Sequence, residues 1–185
     1  MLSSILFSAL LAFGLDPAAS RLTFSVERTG SVVEGSFTRF TATASDQPAS
    51  IDFRIESASI DTANAFRYEH LRSDDFLDAA RFPEIRFTSS RIERKGSSLR
   101  VDGALTIHGI TRNVSIPASV KESNGRITVT LTTSIRRSDF GVGMGDWADR
   151  KLIGDVVTIR ARLVFAGTAA PLPHASRRES RRPSE

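Results

Sequence analysis

The chain has 185 residues, a net charge of +4 and no cysteine. That length carries one domain with a real core; the absence of cysteine excludes disulfides and thiolate metal sites, and three histidines (His70, His108, His174) leave little for a metal centre. The positive balance does not make a nucleic-acid binder: Arg177, Arg178, Arg181 and Arg182 against Glu179 and Glu185 put +2 in the segment after Pro171, and the other charges alternate in sign, as on a solvated surface.

The N-terminus, MLSSILFSALLAFG, is apolar and ends in small residues. Residues 5–15 suit a signal-peptide core and are too short to span a bilayer. Residues 1–15 are therefore read as an apolar leader and the protein as exported, although no Lys or Arg precedes the run. From Arg21 onward the dominant period is two. Leu22, Phe24 and Val26 alternate with Thr23 and Ser25; Ile51, Phe53 and Ile55 alternate with Asp52 and Arg54; Ile85 and Phe87 flank Arg86. Ile127, Val129 and Leu131 then alternate with threonines, and Val157, Ile159, Ala161, Leu163 and Phe165 carry the same pattern to the end of the body. Such alternation means antiparallel sheet with one wet face. It predicts eight strands near 20–27, 31–45, 50–60, 84–94, 98–108, 112–122, 126–137 and 156–167. Asn124-Gly125 and residues 95–98 read as hairpins. Asp102-Gly103 reads as a β-bulge bending one long strand, because a turn there would leave residues 99–101 as a stub.

Residues 62–80 break the pattern. Phe66, His70 and Leu71 recur at helical spacing, Ser73 can cap a second short helix with Asp74 and Asp75 in its first turn, and Pro83 forbids continuation. A helical insert is therefore expected between strands 3 and 4. The fold class is all-β: an eight-stranded antiparallel barrel over residues 16–167, which removes sheet edges and leaves room for a ligand. Residues 168–185 read as a disordered Arg-rich tail.

Several stretches together resemble the YceI-like family of polyisoprenoid-binding, lipocalin-like barrels. DPAAS followed by LTFSV at residues 16–26 resembles its opening strand. ASIDT (58–62), EHLRSDDF (69–76) and FPEIRF (82–87) resemble its central signature. LTIHGIT (105–111) resembles its hairpin, and RSDFG (137–141) with GDVVTI (154–159) resembles its last two strands. The resemblance covers roughly residues 16–165. It implies an extended barrel whose interior takes a long isoprenoid or similar lipid tail, with export to the periplasm and cleavage near Ala12. The family often has histidine where this chain has Ala19, so no role for that histidine carries over.

Under that resemblance the expected pocket lining is Phe24, Val26, Phe37, Phe53, Ile55 and Phe87 from strands, and Leu71, Phe76 and Phe82 from the insert. Ile107, Phe140 and Trp147 complete it, the last two flanking the glycine-rich loop. The competing reading is a filled barrel acting as an interaction module through its loops or tail. His70, His108 and Arg137 are the head-group candidates; Arg136 and Arg150 share the chemistry of forked hydrogen bonds to a phosphate. His108 as a general base needs a partner and a nucleophile, and its neighbours Thr106, Thr111 and Arg112 supply neither. It reads instead as a strand-end residue whose ring bonds to backbone. An enzyme acting on a lipid through His108 or His70 is the remaining alternative. Asp74, Asp75 and Asp78 lack the glycine and terminal glutamate of a calcium loop. No cofactor, metal or nucleic-acid partner is expected, although a prenyl quinone or prenyl phosphate could itself be the ligand. No span crosses a membrane by helix, and the oligomeric state stays open, with a homodimer among the options.

Overall fold

The computed structural model describes residues 13–46 and 49–167; most of the apolar leader and the Arg-rich tail lie outside them. Eleven strands are present among the described residues. They are β1 (Phe13–Leu15), β2 (Arg21–Arg28), β3 (Ser31–Phe37), β4 (Phe40–Asp46), β5 (Ala49–Glu56) and β6 (Ile60–Asp61), followed by β7 (Glu84–Lys95), β8 (Ser98–Ile107), β9 (Ile110–Ser123), β10 (Arg126–Arg136) and β11 (Ile153–Gly167). One helix, α1 (Ala65–Arg72), lies between β6 and β7. All strands pair antiparallel in the order β4-β5-β7-β8-β9-β10-β11-β2-β3-β6, with β1 added beside β11.

The sheet curls so that its two ends meet through the chain itself. β3 runs into β4 at Thr38-Arg39, and β5 runs into β6 through a 3-10 turn at Ser57–Ser59. Thr38 N–H donates to Ser59 O and Glu56 N–H to Arg39 O, each at 3.1 Å, which ties the two corners together. Period-two alternation drives the curl: β8 places Leu99, Val101, Leu105 and Ile107 inside and leaves Arg100 outside. Buried Leu22, Ile127, Leu163 and Phe165 meet Leu99 in one core cluster.

The expected barrel is present, with three differences in detail. The strand expected over 31–45 bends at Thr38-Arg39 into β3 and β4, and the one over 50–60 is cut by the 3-10 turn, so two long strands become shorter pieces plus β6. The bulge lies on the facing strand: the β7–β8 register shifts between Ser89 and Arg91, leaving Ser90 as the extra residue, while β8 runs unbroken. Gly103 has a different reason, because a Cβ there would sit 2.7 Å from the Phe87 ring. Finally, Ser73 ends α1 instead of starting a second helix. Its Oγ–H donates to His70 O at 2.7 Å, and residues 74–81 form turns.

Residues 13–15, expected to belong to the leader, pair with Phe165, Ala166 and Gly167 as β1. The barrel thus includes Phe13–Leu15. No helix among the described residues is long and apolar enough to cross a membrane, which says nothing of strands.

Candidate functional site

The inward faces do not fill the barrel. Two adjoining cavities of about 420 Å³ and 370 Å³ occupy it, each within the size range of small-molecule sites. They share Leu22, Ile55, Ile85, Leu105, Ile135 and Ile159 as a common waist. Both are walled mainly by aliphatic and aromatic side chains, but their polar groups differ. The first, the head lobe, carries Arg28, Asn64, Arg67, His70 and Arg137. The second, the tail lobe, has only the hydroxyls Thr43, Ser115, Thr133 and Ser134.

The expected lining residues divide between the lobes. Phe24, Val26 and Phe37 enter the head lobe from β2 and β3, with Ile107 at the end of β8, and Leu71, Phe76, Phe140 and Trp147 line it from the insert and the loop after β10. Phe53 and Phe87, paired across β5 and β7, wall the tail lobe, and Ile55 touches both. Phe82 lines neither lobe. Its ring packs edge-on against His108 at 4.9 Å, outside both cavities.

The mouth of the head lobe is built by α1 and the loop after β10. Asn64 Oδ1 accepts from Arg67 N–H at 3.1 Å and starts the helix. That places Phe66, 92% exposed, at the rim, with Arg67, His70 and Leu71 along the cavity. Asp75 fastens the insert to the loop: its Oδ2 lies 3.1 Å from His70 Nε2 and accepts from Trp147 Nε1–H at 3.3 Å. The His70 ring stands edge-on to Phe76 and Trp147 at 5.0 Å and 4.7 Å. Arg28 and Arg67 form no ion pair with a carboxylate among the described residues, so the mouth presents two unpaired guanidinium groups.

Arg137 has another role. It is 4% exposed, and all of its donor atoms point at backbone carbonyls. Nε–H donates to Gly154 O at 3.1 Å, Nη1–H to Val142 O at 3.0 Å and to Gly143 O, and Nη2–H to Trp147 O at 2.8 Å and Ile153 O at 3.0 Å. Burial pulls the guanidinium below its ordinary value, opposed by the negative charge of Asp155; it stays charged at neutral pH. Arg137 therefore shapes the 3-10 turns around the mouth and has no free donor for a ligand. Asp155, 9% exposed, accepts from Ser138 N–H at 3.1 Å and pairs with Arg150 at 3.2 Å. Burial pushes its carboxyl up, but the Ser138 hydrogen bonds and the charges of Arg150 and Arg137 outweigh it and hold it below the usual carboxylate range. Arg136 points outward at the end of β10.

His108 does make a turn, though not by bonding to backbone. His108 and Gly109, with φ of 50° and 73°, are the two loop residues between paired Ile107 and Ile110, the tight type that fits twisted strands. Its Nδ1 is buried without a hydrogen-bond partner, and neither lobe includes it. His70 and His108 are thus not brought together, and no three His, Asp or Glu side chains among the described residues cluster closely enough to hold a metal ion. Sequence reasoning missed Arg28, Asn64 and Arg67. Arg28 continues the inward set Leu22, Phe24, Val26, a signal that was present in the alternation.

Comparison with known proteins agrees with this architecture. The model of the YceI-like domain matches residues 13–165. A UPF0312 protein of Shewanella baltica is 34% identical over 140 residues, covering 69% of this chain and 73% of the relative. Protein YceI of Escherichia coli is 32% identical over 130 residues, covering 64% of this chain and 68% of the relative. Among solved structures, Burkholderia cenocepacia BcnA superposes with a TM-score of 0.77 at 29% identity, covering 81% of this chain and 98% of that one. A polyisoprenoid binding domain from Saccharophagus degradans gives 0.72 at 21% identity, covering 85% and 99%, and shares the fold. On the domain match over residues 13–165 and these relatives, the chain belongs to the YceI-like family.

Proposed function

We propose that the protein binds and carries, or stores, an amphiphilic lipid with an isoprenoid-like tail inside the barrel. The observation that carries this reading is the asymmetry of the interior: charged and amide groups gather in one of two adjoining, mainly apolar cavities. An amphiphile seats its tail in the apolar end and turns its head to Arg28, Arg67 and His70. Tail burial is worth roughly 0.8 kcal/mol per CH₂, and ordering the chain absorbs much of that gain. The two unpaired cations favour an anionic head such as a prenyl phosphate over a neutral quinone. The polyisoprenoid binding domain that shares this fold supports the tail chemistry. The reading assigns no reaction: binding, orientation and water exclusion account for every group at the mouth.

Mass spectrometry of the purified protein, native and then after solvent extraction, tests this. A stoichiometric lipid of repeating five-carbon units is expected. A bare protein that takes up no prenyl lipid or quinone would overturn the proposal. Export is part of it, supported by the apolar run before β1. N-terminal sequencing of protein recovered from the periplasm is expected to begin near Phe13, and recovery in the cytoplasm with Met1 intact would refute it.

A further inference from the structure

The barrel wall has a window. The β9–β10 ladder runs from Ser123–Arg126 to Ala118–Leu131 and stops. The next rung would pair Pro117 with Thr132, and proline has no N–H to donate. Beyond it, residues 113–117 remain paired to β8 and residues 132–136 to β11, but not to each other. The inward side chains along this gap, Val114, Ile116, Thr133 and Ile135, are half-buried, as are Ala118, Val129 and Leu131 on the paired part beside it, and all of them line the tail lobe. Ser115 and Ser134 belong to the outward-facing set of their strands, yet both line the tail lobe, as residues do at an opening. Their hydroxyls turn aside: Ser115 Oγ accepts from Arg100 at 3.0 Å and Ser134 Oγ bonds Thr158 at 3.4 Å. The window is framed below by the Ala118–Leu131 rung and above by Gly141, next to Ile110.

We infer that this window is a lateral port, through which the far end of a long apolar chain leaves the tail lobe. The inference rests on the lipid-binding reading above. It adds that tail length is not capped by the volume of the interior. The rim suits a hydrocarbon chain: aliphatic groups face in, the Arg100 charge on the outer side is held by Asp102 and Ser115, and the two hydroxyls are already satisfied.

The test uses Ser115→Cys/Ser134→Cys, whose thiols are the only ones in the chain, bridged by a short bis-maleimide. The same double variant capped singly at each thiol is the reference. Farnesol is expected to fit within the two lobes of about 420 Å³ and 370 Å³, and undecaprenol, more than three times as long, is expected to overfill them. Relative to the capped protein, the bridge is expected to change farnesol affinity by less than about twofold and to weaken undecaprenol about tenfold or more. Equal binding of undecaprenol by bridged and capped protein would overturn the port. Capped protein that takes neither alcohol, and neither farnesyl phosphate nor undecaprenyl phosphate, would instead overturn lipid binding, and the port with it. An independent readout is an environment-sensitive dye on Ser134→Cys alone: undecaprenol is expected to shift its emission to the blue and farnesol is not. An unresponsive dye on protein loaded with undecaprenol counts against the port.

Discussion

The two lobes of the interior are made from the same strands yet by different means. The tail lobe is sheet throughout: its walls follow from alternation, and Phe53, Phe87 and Leu163 sit where a period of two puts them. The head lobe has its mouth made by non-repeating segments, α1 and the loop between β10 and β11, held by hydrogen bonds to carbonyls and a shared carboxylate. The difference teaches that capacity in this barrel comes from periodic sequence and orientation from irregular sequence. The two are therefore separable by mutation.

The largest effect is expected at the clamp. Arg137→Met strands the carbonyls of residues 142, 143, 147, 153 and 154 and should lower stability by about 3–5 kcal/mol, read as a shift in the urea midpoint. A loss below about 1 kcal/mol would show that the mouth loop holds itself. Next comes acid. Because the Asp155 carboxyl titrates below its ordinary value of about 3.9, its contribution is complete above that pH and is lost as pH falls through the depressed folded value. Asp155→Asn should therefore flatten the loss of stability below about pH 5, down to about pH 2, relative to the parent. Equal slopes would mean other carboxylates set the acid limit. Asp52 is one of these: burial raises it, but hydrogen bonds from Arg86 and Arg54 win and lower it.

Smaller effects separate the lobes directly. Ile116→Asn places an amide in the tail lobe and should weaken a long-chain ligand about tenfold whatever its head. Arg67→Gln should weaken only anionic heads, about fivefold at low salt, with the difference closing as salt is raised. If Arg67→Gln weakened neutral and anionic prenyl lipids alike, the two-lobe division would be wrong. The smallest change is Asp75→Asn at the exposed latch, worth less than about 1 kcal/mol in denaturant unfolding.

Much of this was legible beforehand because burial on one face leaves a mark in every second residue. Eleven of the twelve expected lining residues lie against the lobes; Phe82 does not, because the turn after Asp78, not a helix, aims it at His108. The role of Arg137 was not legible, since an arginine clamping carbonyls and one awaiting a phosphate look alike until the loop around it is folded. Nor was the gap beside Pro117. Val114, Ile116, Ala118 and Val120 keep their alternation straight through it, because β8 still dictates which way they face even where β10 has let go.

Strand β11 has a further consequence, for the order in which the molecule can form. It pairs with β10 on one side and with β2 on the other, and also carries β1. β7 to β11 are successive antiparallel neighbours that form by local hairpins, whereas β2 must wait for a partner more than a hundred residues downstream. Contacts of such sequence separation form slowly. A chain emerging N-terminus first has only β3 to offer β2 until residue 153 appears, so the barrel shuts only when its synthesis is nearly complete. Until then β2 and β3 have only each other, and the apolar faces that will line the two lobes stay open to water.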